Sequence, residues 1–85
     1  MYEVYYHERV DKFFTKITNR EVVRILRKIE VLAQDPFQKT FDVKKMKSLD
    51  KSYRLRVGTM RIIYQIETKK QTLFIVDVDF RGNIY

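Results

Sequence analysis

The sequence contains no cysteine, one histidine and one proline in 85 residues. Without thiols it can form neither a disulfide framework nor a thiolate metal site. His7 alone is a thin basis for zinc, so no metal and no cofactor is expected. No apolar run approaches the roughly 20 residues that span a bilayer. The opening Met1-Tyr2-Glu3-Val4-Tyr5-Tyr6 lacks a basic segment leading into an apolar one, so no signal peptide is expected. These absences favour a cytoplasmic protein that makes no use of membranes.

What the chain has in excess is positive charge, a net +7 at neutral pH. Its distribution matters more than its size. Residues 1–43 hold eight Lys and Arg against seven Asp and Glu, and residues 62–85 hold three of each. Segment 44–61 carries Lys44, Lys45, Lys47, Lys51, Arg54, Arg56 and Arg61 against Asp50 alone, a local excess of +6. Such a concentration attracts polyanions, because neutralised phosphates release their counterions. The plain alternative is a solvated face that keeps the protein soluble. Placement on the fold has to decide between them.

With 45% hydrophobic and 34% charged residues, the chain reads as one globular domain over residues 1–85. The aromatic, β-branched stretch from Tyr2 to Tyr6 suits a strand. Val10, Phe13, Phe14 and Ile17 then mark one face of a helix. Thr18-Asn19-Arg20-Glu21 is a capping-box pattern that opens a second helix. Its inward stripe is Val22, Ile25, Leu26, Ile29, Leu32 and Ala33, with Arg20, Arg24, Arg27 and Lys28 on the solvent side. Asp35-Pro36 ends it, since proline disfavours a helical residue before it.

From there the pattern is strand-like. A short strand is expected around Phe41-Val43. Tyr53-Leu55-Val57 alternate with Arg54 and Arg56, and Gly58-Thr59 suits a hairpin turn. Met60, Ile62, Tyr64 and Ile66 alternate next. After the polar turn Lys69-Lys70-Gln71 come Phe74, Val76, Val78 and Phe80 in alternation with Leu73, Ile75, Asp77 and Asp79. The expectation is an α+β domain: an antiparallel sheet of about four strands with an N-terminal two-helix hairpin packed on one face.

Alternation sends Tyr53, Leu55, Val57, Met60, Ile62, Tyr64, Ile66, Phe74, Val76, Val78 and Phe80 toward the helices. Tyr53 and Tyr64 are then structural, with hydroxyls reaching a polar edge. The other face receives Arg54, Arg56, Arg61 and Arg81 with Ile63, Ile75, Asp77 and Asp79. Like charges side by side repel, so clustered guanidinium groups make sense when a polyanion lies between them. Asp77 and Asp79 could offset part of that charge. The same face could cleave RNA, because fixed cations align the 2′-hydroxyl and stabilise the phosphorane charge. Arginine is always protonated and a poor general base. No His or Glu on this face substitutes, and His7 reads as a surface or cap residue.

The run Tyr53-Arg54-Leu55-Arg56-Val57-Gly58-Thr59-Met60-Arg61-Ile62-Ile63-Tyr64-Gln65-Ile66 resembles the RelE/ParE toxin superfamily, and its RelE-type mRNA interferases in particular. The likeness extends to the Asp35-Pro36 step, to Lys44-Lys45-Met46-Lys47-Ser48-Leu49, and to the ending Phe80-Arg81-Gly82-Asn83-Ile84-Tyr85. It implies a microbial-ribonuclease-like fold and the toxin of a type II toxin–antitoxin system. The implied activity is ribosome-dependent endoribonuclease cleavage of mRNA in the A site, leaving a 2′,3′-cyclic phosphate.

By the same resemblance Arg54 and Arg56 stand where relatives often carry lysines. Arg61 matches the arginine that stabilises the phosphorane, Arg81 the one that protonates the leaving group, and Tyr85 the tyrosine that stacks on the nucleotide. Lys44, Lys45, Lys47 and Lys51 are the expected RNA contacts. The implied partners are mRNA, the ribosome and an acidic RelB-like antitoxin, with the free toxin a monomer. Arginine in both lysine positions leaves cleavage to orientation and charge. A ParE-like gyrase inhibitor and an inactive RNA- or ribosome-binding relative are the competing readings; ParE-like proteins generally lack the joint set Arg61, Arg81 and Tyr85.

Overall fold

The computed structural model describes residues 1–46 and 52–80. The elements in chain order are β1 (Glu3–Tyr6), α1 (Glu8–Phe14), α2 (Asn19–Gln34), β2 (Val43–Lys45), β3 (Ser52–Val57), β4 (Met60–Glu67) and β5 (Thr72–Phe80). The strands form one sheet in the order β1-β5-β4-β3-β2. The α+β expectation holds, with five strands where about four were expected. One pairing is not antiparallel: β1 runs parallel to β5, with Glu3 opposite Thr72 and Tyr6 opposite Ile75. A parallel partner requires a crossover, and the helix pair that follows β1 supplies it.

Local chemistry sets the helix ends. His7 is the N-cap of α1, its Nδ1 accepting from the Arg9 backbone N–H at 3.1 Å. For α2, the Glu21 N–H donates to Thr18 Oγ1 at 3.2 Å and the Thr18 N–H donates to Glu21 Oε1 at 3.0 Å. This is the reciprocal capping box that the sequence spells. Asp35 closes α2 in an extended conformation, its N–H still donating to the Val31 carbonyl at 3.1 Å.

The core lies between the helices and one sheet face. Val10 and Phe13 of α1 and Ile25, Ile29, Leu32 and Ala33 of α2 cover Leu55, Val57, Met60, Ile62, Tyr64, Ile66, Leu73, Ile75 and Val78. Two residues of the expected α2 stripe sit at its rim: Val22 is half-buried and Leu26 exposed. The inward arc centres on Ile25, Ile29 and Leu32, and Leu26 lies about 100° round the helix from Ile25.

Strand β5 departs from simple alternation. A register shift at Ile63/Tyr64 sets Ile63 opposite Asp77 but Tyr64 opposite Ile75, leaving Val76 as the extra residue. Below this bulge the parity of β5 is inverted. Leu73 and Ile75 are the buried residues, and Phe74 and Val76, expected inward, are not. Val76 packs instead against Met46 and Ile63, a small apolar cluster separate from the main core. Above the bulge Val78 faces the core, with Asp77 and Asp79 on the other side, as expected. A bulge of this kind re-aims side chains without ending the strand.

Tyr53 and Tyr64 stack across β3 and β4 with centroids 5.7 Å apart and planes 22° from parallel. The expected polar edge for Tyr64 is missing: its hydroxyl is buried and has no hydrogen-bond partner among the described residues. At the β3–β4 turn Gly58 has φ +59°, and Val57 pairs with Met60 around it. A positive φ at the first central position fits a two-residue hairpin turn of the II′ kind.

Candidate nucleic-acid interface

On the sheet face turned away from the helices, register alone assembles a cationic patch. One cross-strand row runs Lys44, Arg54, Ile63, Asp77 over β2, β3, β4 and β5. The next row runs Arg56, Arg61, Asp79 over β3, β4 and β5. Side chains opposite one another on a sheet have Cβ atoms roughly 4.5–5.5 Å apart, so these groups are immediate neighbours. Lys44, Arg54, Arg56 and Arg61 line a shallow dent with Asp42, about 10 Å³ in volume. That is too small to enclose a nucleotide, so a phosphodiester would lie across the patch.

The carboxylates near this patch differ in what they engage. Asp42 accepts a loose ion pair from Arg56, Nε to Oδ2 at 3.6 Å, with both side chains well exposed. Asp77 turns toward α1, where Arg9 lies 3.9 Å away. Burial holds the Asp77 carboxyl above its ordinary pKa, partly opposed by the nearby Arg9 charge. At such distances and exposure each pair contributes little, on the order of 0–1 kcal/mol. Asp79 accepts a hydrogen bond from the backbone N–H of Phe80 at 2.8 Å, which fixes its Oδ1.

The expected site residues are therefore sorted by the fold. Lys44, Arg54, Arg56 and Arg61 come together. Lys45 does not join them: it pairs with Tyr53, and alternation places it on the helix-bearing side of the sheet. Lys47, Lys51, Arg81 and Tyr85 lie outside the described residues. His7, read as a cap, is one, and its Nδ1 accepts from Arg9. Among the described residues no group of His, Cys, Asp and Glu could hold a metal ion. No described helix is long and apolar enough to cross a membrane.

A second surface was not anticipated. A cleft of about 920 Å³ runs along the outside of α2, lined by Asn19, Arg20, Val23, Arg24, Arg27, Lys28, Val31 and Phe41. Among the described residues it holds four cations and no carboxylate, over an apolar floor in which Val23 and Val31 are exposed. The Lys28 ammonium sits 4.4 Å from the centre of the Phe41 ring. The sequence signal was present: Val23, Arg27 and Val31 recur every four residues off the inward stripe. Its meaning depends on Phe41, which only the fold brings alongside.

No model of a known protein family matches the chain. Individual proteins do. The sequence is 28% identical to RelE1 of Methanocaldococcus jannaschii over 99% of this chain and 94% of that protein. The fold is similar to the archaeal RelE–RelB complex from Pyrococcus horikoshii, with TM-score 0.83, 28% identity and 98% of both chains covered. It is also similar to the RelB–RelE antitoxin–toxin complex from Methanococcus jannaschii, with TM-score 0.76, 25% identity, 94% of this chain and 93% of that one. The likeness runs nearly end to end in all three, and the family these comparisons support for the chain is that of the RelE toxins.

Proposed function

We propose that the protein is the toxin of a type II toxin–antitoxin pair and a ribosome-dependent endoribonuclease that cuts mRNA in the A site. The carrying observation is the convergence of Lys44, Arg54, Arg56 and Arg61 on one open sheet face of a RelE fold. The attacking 2′-hydroxyl and the adjacent phosphorus must be aligned, and the phosphorane carries extra negative charge. Guanidinium groups fixed on neighbouring strands supply orientation and charge together. Arg61, in the middle of the sheet, stabilises the phosphorane; Arg54 and Arg56 grip the flanking phosphates; Lys44 extends the track. Arg81 and Tyr85 complete the site as leaving-group donor and stacking platform. The product is a 2′,3′-cyclic phosphate.

The partner that silences it is an acidic RelB-like antitoxin, and the toxin alone is a monomer. Two features support this. The arginine face is a surface that a disordered acidic segment can neutralise by folding onto it. The α2 cleft combines exposed valines with four cations, which suits an amphipathic segment bearing carboxylates beside apolar residues. The site of action is the cytoplasm, where ribosomes translate.

The test is to map cleavage of mRNA on translating ribosomes with the purified protein and its Arg61→Ala variant. Cuts inside A-site codons that vanish in the variant are the expected result. Intact mRNA with the wild-type protein removes the ribonuclease reading, and a gyrase supercoiling assay then decides for the ParE-like one.

A further inference from the structure

Strand β1 flanks β5 only as far as Ile75, whose carbonyl accepts from the His7 N–H as the chain turns into α1. Beyond that point α1 packs against β5 in place of a strand, and a cleft of about 430 Å³ opens there. Arg9 and Lys12 of α1 and Lys16 just past its end line one wall, and Asp77 to Phe80 the other. Resting on the ribonuclease reading above, we propose that this cleft is a nucleotide subsite: the base of an RNA residue beside the cut stacks on Phe80, while Lys12 and Lys16 hold its phosphates.

Position and size come first. Asp79 on the cleft wall stands opposite Arg61, so the row Arg56, Arg61, Asp79 ends at the cleft. An RNA strand laid across the arginines is thereby led into it. The dent among the arginines, about 10 Å³, cannot take a base. The cleft, at about 430 Å³, falls within the usual range of small-ligand sites, about 300–1,000 Å³.

Charge and the exposed ring then divide the work. Arg9 is already engaged, its Nε donating to His7 Nδ1 at 3.1 Å and its Nη1 lying 3.9 Å from Asp77. Asp79 is held within the fold by contacts that include the Phe80 N–H, which donates to its Oδ1 at 2.8 Å. Lys12 and Lys16 have no ion pair among the described residues, which leaves them to receive phosphate. Phe80 is 40% exposed, and its ring meets that of buried Phe13 nearly edge-on, with centroids 5.4 Å apart and planes at 74°. That contact holds the ring in place, and its exposed part offers a surface for stacking. Every base has a π-face, so the subsite grips a nucleotide without selecting its base.

The experiment is a binding titration of the full chain against a short unstructured RNA, 2′-O-methylated so that it cannot be cut. The same RNA is also made with one abasic residue, placed at each position in turn. Wild type is expected to lose about 5–150-fold in affinity at the position that occupies the cleft. Phe80→Leu should bind the intact RNA more weakly by a similar factor and lose nothing further at that position, whereas Phe80→Tyr should behave as wild type. Lys12→Ala combined with Lys16→Ala should lower the slope of log affinity against log salt by about 1.4, from roughly 0.7 for each phosphate. Melting curves establish that each variant is folded. Abasic penalties equal in wild type and Phe80→Leu at every position, a slope untouched by the lysine changes, or no measurable RNA binding by wild type overturns the subsite. Nothing is cut in this assay, so the mapping of cleavage on ribosomes decides the ribonuclease reading separately.

Discussion

Arg56 stands directly opposite Arg61 across the β3–β4 hairpin, on the face away from the helices. Like charges in that relation destabilise a sheet by roughly 0.2–1 kcal/mol. The fold keeps them paired, which fits a surface shaped for a polyanion at some cost in stability.

That cost is measurable. Added salt should raise the melting temperature of the wild-type protein by screening this pair, and should raise that of Arg56→Gln less. Equal salt responses in the two proteins would mean that the repulsion is already offset within the fold.

The two adjacent lysines of β2 should behave differently. Lys44 pairs with Arg54 on the arginine face and Lys45 with Tyr53 on the other. Lys44→Ala is expected to weaken RNA binding and lower the slope of log affinity against log salt by about 1. Lys45→Ala should leave that slope nearly unchanged. A titration of both variants against one RNA over a range of salt decides it.

Tyr64→Phe should be neutral or stabilising, by up to about 1 kcal/mol, because the buried hydroxyl it removes has no protein partner among the described residues. Burial also drives that hydroxyl's pKa far above the ordinary tyrosine value. A urea denaturation midpoint lower than wild type would show that the hydroxyl is engaged after all.

Asp77 gives a pH test with a defined sign. Its folded-state pKa is raised, chiefly by burial, so the folded protein holds this proton more tightly than the unfolded chain. The stabilisation it brings is present when protonated and is lost as pH rises through the folded value. Measured against Asp77→Asn, wild type should therefore lose relative stability as pH climbs from about 3.5 toward neutrality. A difference that stays flat over that range argues that Arg9 fully compensates the buried charge.

Much of this was legible beforehand because it is local. The capping box at Thr18 and Glu21, the stop at Asp35-Pro36 and the alternation through Tyr53, Leu55 and Val57 need only neighbours in the chain. The cluster of Arg54, Arg56 and Arg61 followed from one hairpin. What escaped depends on contacts distant in sequence. The bulge at Val76 has no marker of its own, since Leu73 to Val78 is apolar enough to read in either parity. The parallel pairing of β1 is set by where the helix pair delivers the chain. Separating Lys44 from Lys45 required knowing the register of a three-residue strand. The α2 cleft required Phe41 to be carried back beside Lys28.

The parallel pairing also orders events in time. β1 leaves the ribosome before every other element, yet its backbone partner is β5, with Glu3 waiting for Thr72. Contacts so distant along the chain close late, because the loop entropy between them must be overcome first. Until β5 emerges, Arg61 has neither its row partner Asp79 nor a closed sheet beneath it. A protein proposed to attack translating ribosomes thus stays unassembled through most of its own synthesis, and its functional surface is one of the last parts of the domain to come into being.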